Sequence, residues 1–405
     1  MSEPDLLLPP GVRLVHIGFP KTGTTALQSA LEVARDRLNA LGVVYPGTGR
    51  YHKEASIAAI GARPRIGEPI PGQRHWDALV REAREAGDRR VIVSSEWFCE
   101  ADDDAARRVV EGLGGDTVHV VVTLRPLAKI LPSSWQQYVQ NGLRRSYDGW
   151  LEGMLLEPPY DRPTATFWRR HRHDEVVKRW AEVVGPDRVT ALVVDERDPS
   201  LLLRQFERLV GLPEGTLELQ KRTNASLSRP QAELVRRLNK AYRELEWPDK
   251  LYQSVVRIGV AEYLIRETPS EASGPPIVTP RWALERAAEI GAGAAREIAA
   301  SGVRVVGDLD VLGRVPEPRA VEDWDERSVS LDVAALAATG AIEAARRFGR
   351  AEAERERAAA PRGRHLTRAK RRLRRVAGRA RRRLQRAVTA RRGTTSGPGW
   401  LTRGR

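Results

Sequence analysis

The sequence predicts a three-layer α/β fold, with a central parallel sheet flanked by helices. Two observations carry this. Short apolar runs rich in β-branched residues alternate with helical segments, the order that builds a parallel sheet covered on both faces. One of those runs, "TVHVVVTLR" (117–125), is apolar nearly throughout, as a strand buried on both faces must be.

The elements follow in order. "RLVHIGF" (13–19) is the first strand. "TTALQSALEVARDRLNAL" (24–41) lacks Pro and Gly and places Leu27, Leu31, Ala34 and Leu38 at helical spacing, so it predicts a helix that Gly42 closes. "RRVIVSSE" (89–96) is a strand and "DAARRVVEGL" (104–113) a helix. After the strand at 117–125 come a helix near 174–184, a strand in "DRVTALVVDE" (187–196) and a helix in "SLLLRQFERLVGL" (200–212), closed by Gly211. From about 228 the chain reads as mostly helical, with a late strand-like piece, "VRVVGDL" (303–309). No repeat of 20–50 residues is visible.

Charge divides the chain. Residues 351–405 carry 19 of the 68 Lys and Arg but only three of the 53 acids. The other 350 residues hold 49 bases against 50 acids, an ordinary near-neutral body. The net charge of +15 therefore belongs to the tail, and a nucleic-acid-binding reading of the body falls away. Residues 1–345 read as one domain and 346–405 as a basic, mostly disordered tail. In "LTRAKRRLRRVAGRARRRLQRAV" (366–388) Leu373, Ala377, Ala380, Leu384 and Ala387 form a thin apolar stripe in an Arg sheath. Such a segment is a candidate for peripheral contact with an anionic membrane, set against a plain solvated tail. The start, "MSEPDLLLPPG", has neither the basic region nor the apolar length of a secretory leader, and no apolar run approaches the roughly 18 residues of a membrane span. With a single cysteine, Cys99, no intrachain disulfide forms. The expectation is a cytoplasmic protein, peripheral at the inner membrane surface if the tail engages it.

The chemistry sits in "VHIGFPKTGTTALQ" (15–28). A nucleotide-triphosphatase loop reads G-x-x-x-x-G-K-[ST]. Gly18 and Gly23 keep that glycine spacing, but Thr24 stands where the lysine belongs, and Lys21 lies two residues before the second glycine. A turn between a strand and a helix offers unpaired N–H groups and the positive end of the helix dipole, so anions bind there. Gly23 lets the backbone approach, Thr22, Thr24 and Thr25 add hydroxyls, and Lys21 adds a charge. The Ser/Thr that holds Mg²⁺ after the lysine of a triphosphatase is missing, and no acidic metal-binding pattern replaces it. The anion is expected to be transferred without a metal.

"PKTGTT" after a strand resembles the 5′-phosphosulfate loop of sulfotransferases that use 3′-phosphoadenylyl sulfate (PAPS). The likeness includes the proline, the displaced lysine and the threonine pair, and it implies a P-loop-type α/β fold with PAPS as co-substrate. That family binds the 3′-phosphate with an Arg at a strand end and a Ser eight residues later. In "TLRPLAKILPSSW" (123–135) these would be Arg125 and Ser133, with Ser134 as the alternative, because the family's common Arg-Asp-Pro reads Arg125-Pro126 here. "KRTNASLS" (221–228) resembles a loop that closes over the nucleotide in related bacterial enzymes, and Arg222, Asn224 and Ser226 would serve there. The family's base is a His or Glu that deprotonates an acceptor hydroxyl. "YPGTGRYHKEAS" (45–56) offers His52 first and Glu54 beside it. Glu96, at the end of its strand in "SSEWF", is the other candidate, where parallel sheets place ligands. "WQQYVQNG" (135–142) and "FWRRHRHDE" (167–175) mix aromatic and polar residues and hint at a carbohydrate or glycolipid acceptor.

The resemblance thus implies a sulfotransferase that moves the sulfuryl group of PAPS to an acceptor hydroxyl. The rival readings are a P-loop kinase or nucleotide hydrolase, which the misplaced lysine opposes, and a polyanion- or membrane-binding protein acting through the tail.

Overall fold

The β-branched runs form the sheet. In the computed structural model, which describes residues 6–64, 67–156, 164, 166–194, 197–220, 226–269, 274–317 and 328–359, the chain divides into two compact units, Met1–Ala345 and Arg346–Arg405. The first unit begins with β1 (Arg13–Gly18), α1 (Thr24–Val33), α2 (Arg35–Ala40), β2 (Val43–Val44), α3 (Lys53–Ile60) and α4 (Arg74–Glu85). Then come β3 (Arg90–Ser94), a 3₁₀ turn at Glu96–Glu100, α5 (Asp103–Leu113), β4 (Val118–Leu124) and α6 (Leu127–Gln140). They are followed by α7 (Tyr147–Leu155), α8 (Thr166–His171), α9 (His173–Val184), β5 (Val189–Val193) and α10 (Leu201–Val210). The later part has α11 (Arg229–Glu244), α12 (Asp249–Leu251), a π-helix at Tyr252–Glu262, α13 (Tyr263–Glu267), α14 (Arg281–Ala300) and β6 (Arg304–Val306). The helix α15 spans Leu331–Ala359.

The sheet is parallel throughout, in the order β2-β3-β1-β4-β5-β6. Successive strand side chains point to opposite faces, and the two faces feed two separate cores. Val15 and Ile17 of β1, Val91 and Val93 of β3 and Val120 and Val122 of β4 pack with α3, α4, α5 and α9. Leu14, Ile92, Val121 and Leu192 turn the other way, onto Leu27 and Leu31 of α1 and Phe206 of α10. Burial on both faces is why these strands carry no polar alternation. A third core, with Trp135, Trp150, Phe167 and Tyr252, joins α6, α7, α8, α11, the π-helix and α14. The three layers and the helical C-terminal part expected from the sequence are both present.

Several boundaries differ from the sequence expectation. The helix at 24–41 is two helices: Ala34, with ψ of 2°, turns the chain so that Leu38 reaches the core. The strand expected to 96 ends at Ser94, and Glu96 opens the 3₁₀ turn, where the Ser95 hydroxyl accepts from the Trp97 N–H. Between β2 and β3, where the sequence reading assigned no element, lie α3 and α4. In α3, Ala55, Ser56, Ile57, Ala59 and Ile60 are all buried within eight residues. A helix buried on most sides shows little periodicity, so its sequence offers no face to detect.

Candidate functional site

β1, β3 and β4 end side by side, and the residues that leave their carboxyl ends line one cleft of about 1070 Å³. The chain crosses to β2 and β3 on one side of β1 and to β4, β5 and β6 on the other. Ligands gather at such a switch point. The volume is at the upper end for small-molecule sites, large enough for a nucleotide and a second molecule together.

The turn after β1 is held open by its backbone. Lys21 has φ of 72° and Gly23 φ of 85°, both left-handed. A lysine there costs roughly 1–2 kcal/mol, a strain typical of ligand clamps. Gly18 is needed for a different reason: a Cβ at position 18 would lie 2.7 Å from Cγ2 and 2.9 Å from Cβ of Thr24. No side chain caps α1 and no acid lies in its first turn, so the helix N-terminus opens onto the cleft. Lys21, Gly23, Thr24 and Thr25 line the cleft. Thr22 does not: its hydroxyl donates to the Phe19 carbonyl at 2.7 Å and meets the Thr123 hydroxyl at 2.8 Å, fully buried.

Arg125 follows β4, and its guanidinium donates to the Lys21 carbonyl at 2.7 Å, tying the two motifs together across the mouth of the turn. Both Arg125 and Ser133, nearly two turns into α6, line the cleft. Ser134, the alternative the sequence offered, is buried and does not. Ser226 lines the cleft as well, whereas Arg222 and Asn224 fall outside the described residues. Among the described residues, five cations line the cleft, Lys21, Arg50, Arg125, Lys129 and Arg257, against Glu96 and Glu317. An anionic ligand suits that balance.

The candidate bases part company. Glu96 lines the cleft. His52, the first candidate from the sequence, is buried at the N-terminus of α3, and both its ring nitrogens are engaged. A carbonyl only accepts, so Nε2–H donates to the Pro46 carbonyl (3.0 Å), and Nδ1 accepts from the Ser94 N–H (3.0 Å). The His52 lone pair is thereby spent, and burial holds its pKa below the usual value. His52 instead staples the 45–52 loop to the end of β3. Glu54, beside it in α3, does not line the cleft.

Sequence reasoning missed a buried polar chain beneath the turn. The Gln28 amide, which faces the cleft, donates to the Ser94 hydroxyl at 3.1 Å. Ser94 meets His16 Nδ1 at 2.8 Å, and His16 Nε2 reaches the Thr123 hydroxyl at 3.4 Å. A lone histidine in an apolar strand gives no signal of such a chain; only the pairing of β1 with β3 and β4 brings its partners to it.

Burial also sets a pH response. Desolvation drives the pKa of His16 down to about 3 and that of His173 to about 4. An unfolded chain takes up these protons near 6.5, so it binds protons first as pH falls. Stability from these groups is complete above about 6.5 and drains away toward pH 4, by up to about 1.4 kcal/mol per pH unit for each group. The thermal midpoint is expected to fall steadily from pH 6.5 to 4.5, and His16→Gln to flatten that slope. A midpoint independent of pH over that window would contradict it.

Of the two aromatic stretches, "WQQYVQNG" contributes Gln136, Gln137, Gln140 and Asn141 to the cleft wall, while Trp135 is core. "FWRRHRHDE" contributes nothing to the wall: Phe167 and Trp168 are core, and Arg170 pairs with Glu100 at 2.6 Å. Among the described residues, no helix is long and apolar enough to cross a membrane.

No protein-family model matches the sequence. No curated protein sequence matches it either. Among solved structures the chain is similar to a sulfotransferase from Alicyclobacillus acidocaldarius, at 18% identity over 58% of this chain and 95% of that one, with a TM-score of 0.37.

Proposed function

We propose that the chain is a PAPS-dependent sulfotransferase that moves the sulfuryl group to an acceptor hydroxyl without a metal. One observation carries the reading. The left-handed Lys21–Gly23 turn opens α1 onto the cleft, and Arg125 bonds that turn while lining the same cleft as Ser133. This gives two anion seats joined by one guanidinium, the arrangement a nucleotide phosphorylated at both 5′ and 3′ positions calls for. The close approach at Gly18 and the uncapped helix start fit a phosphosulfate.

The roles follow from position. The bound donor supplies an activated sulfuryl group. Glu96 takes the proton of the acceptor hydroxyl, whose oxygen bonds to sulfur as the bond from sulfur to the 5′-phosphate oxygen breaks. Lys21 and the N–H groups that open α1 neutralise the charge gathering on that phosphate. Arg125 and Ser133, with Ser226 nearby, hold the 3′-phosphate, and adenosine 3′,5′-bisphosphate departs. His52 positions the loop beside Glu96 rather than taking the proton. Arg222 and Asn224 stay candidates for covering the nucleotide. The domain assigned to this activity is 1–345; for the basic stretch 346–405 we retain peripheral contact with anionic membrane on the cytoplasmic side as the proposed role.

The test is calorimetry on the full chain with EDTA present. Adenosine 3′,5′-bisphosphate is expected to bind much more tightly than ADP. A charged hydrogen bond is worth roughly 1.5–3 kcal/mol, so Arg125→Ala should weaken the bisphosphate about 10- to 100-fold and leave ADP little changed. If ADP binds as well or better, and only with Mg²⁺, the chain is a kinase or hydrolase instead.

A further inference from the structure

We infer that Arg50 selects acceptors that carry an anionic group, a carboxylate or an ester sulfate, on a sugar ring; this deepens the sulfuryl-transfer reading and rests on it.

The loop that carries Arg50 is fixed at every point but one. The Arg35 fork donates to the carbonyls of Tyr45 (3.2 Å), Thr48 (3.4 Å) and Gly49 (2.6 Å). Glu82 accepts from the Gly47 N–H at 2.7 Å, and the Tyr45 hydroxyl donates to the Arg50 carbonyl at 2.7 Å. His52 closes the loop by donating to the Pro46 carbonyl and accepting from the Ser94 N–H. The main chain is thus organised from three other elements. The side chain of Arg50 is not. Its guanidinium lies over the Tyr51 ring, 5.3 Å from the centroid, and both residues line the cleft. Its Nε–H is buried with no acceptor among the described residues. A buried donor left unpaired on a charged group is costly, and a turn of this side chain at the cleft wall would bring it to an acceptor oxygen in the cleft.

Two of the other cleft cations, Arg125 and Arg257, are committed. Arg125 bonds the Lys21 carbonyl, which keeps both at the nucleotide turn. Arg257 lies between Glu68 (3.6 Å) and Glu262 (3.4 Å). Arg50, in contrast, belongs to the acceptor end, because the His52 staple sets its loop against Ser94, two residues before Glu96. An anion seated on Arg50 therefore sits beside the hydroxyl that Glu96 would deprotonate. The planar fork matches a carboxylate or sulfate. The amides of Gln136, Gln137, Gln140 and Asn141 both donate and accept, which suits ring hydroxyls.

The experiment titrates p-nitrophenyl β-glucoside, β-glucuronide and β-glucoside 6-sulfate into the full chain saturated with adenosine 3′,5′-bisphosphate. At least one anionic glycoside should bind tenfold or more tightly than the neutral one, and the two arms tell carboxylate from sulfate. Arg50→Met should reduce that preference to within about twofold, with Arg50→Lys intermediate. Bisphosphate affinity and thermal midpoint should be unchanged in both variants. Binding of no glycoside, equal binding of all three, or a preference that survives Arg50→Met overturns the inference. Loss of bisphosphate affinity in Arg50→Met assigns the residue to the nucleotide and overturns it too. If the bisphosphate fails to bind even the unaltered chain, the sulfuryl-transfer reading has failed separately, and the same titration without nucleotide still decides on Arg50.

Discussion

Glu96→Gln is expected to lower kcat about 10³-fold while leaving the affinity for adenosine 3′,5′-bisphosphate and the thermal midpoint unchanged. A positioned general base contributes roughly 10²–10⁴ in rate, and glutamine keeps the shape but cannot take the proton. The side chain belongs to the first residue of the 3₁₀ turn and lines the cleft, and glutamine keeps its polar contacts there. His52→Ala should behave in the opposite way. It strands the Pro46 carbonyl and the Ser94 N–H, each a buried group worth roughly 1–3 kcal/mol when unpaired. The midpoint should drop by several degrees while the folded fraction keeps kcat within about tenfold. Turnover assays paired with thermal scans on the two variants settle the matter. If His52→Ala removes turnover at an unchanged midpoint and Glu96→Gln does not, His52 is the base.

Gly18→Ala is expected to have the largest effect on binding. The new methyl would overlap the Thr24 side chain in the first turn of α1, and Thr24 is itself buried against the Phe19 carbonyl. Overpacking of this kind costs roughly 1–3 kcal/mol. The relief available is a shift of the helix start, which carries Gly23 and Thr25 away from Lys21. Affinity for the bisphosphate should fall more than 100-fold, with a midpoint several degrees lower. Gly61→Ala serves as the control. Gly61 also has a positive φ, 65°, but nothing lies within 4 Å of its missing Cβ. It should lower stability and leave binding intact. A Gly18→Ala protein that binds normally would mean the turn's geometry is not what seats the anion.

The parts of this molecule legible in its sequence are those where local chemistry repeats a rule. β1 and β4 were readable because burial on both faces demands apolar, β-branched runs. The turn was readable because a left-handed glycine and a displaced lysine leave a fixed spacing. Arg125 was readable because it closes a strand. Less was legible where a residue's role depends on what lies across the fold. His52 looked like an accessible base because sequence shows neither its burial nor the Ser94 N–H that takes its lone pair. Ser133 and Ser134 could be separated only by knowing which face of α6 meets the cleft. Gln28 and Arg50 carry no motif at all. They matter because β3 brings Ser94 to the one, and because α2 and α4 brace the loop beneath the other.

The bracing of residues 45–52 has a consequence for how such a protein can change. The carbonyls and N–H groups of that loop are held by Arg35, Tyr45, His52 and Glu82, and none of those contacts involves the head of Arg50. Exchange at position 50 therefore leaves the frame standing. On the proposed reading, acceptor range becomes a trait that single substitutions can rewrite, while the turn after β1, constrained by overlap at Gly18 and by the buried Thr22–Thr123 pair, tolerates far fewer.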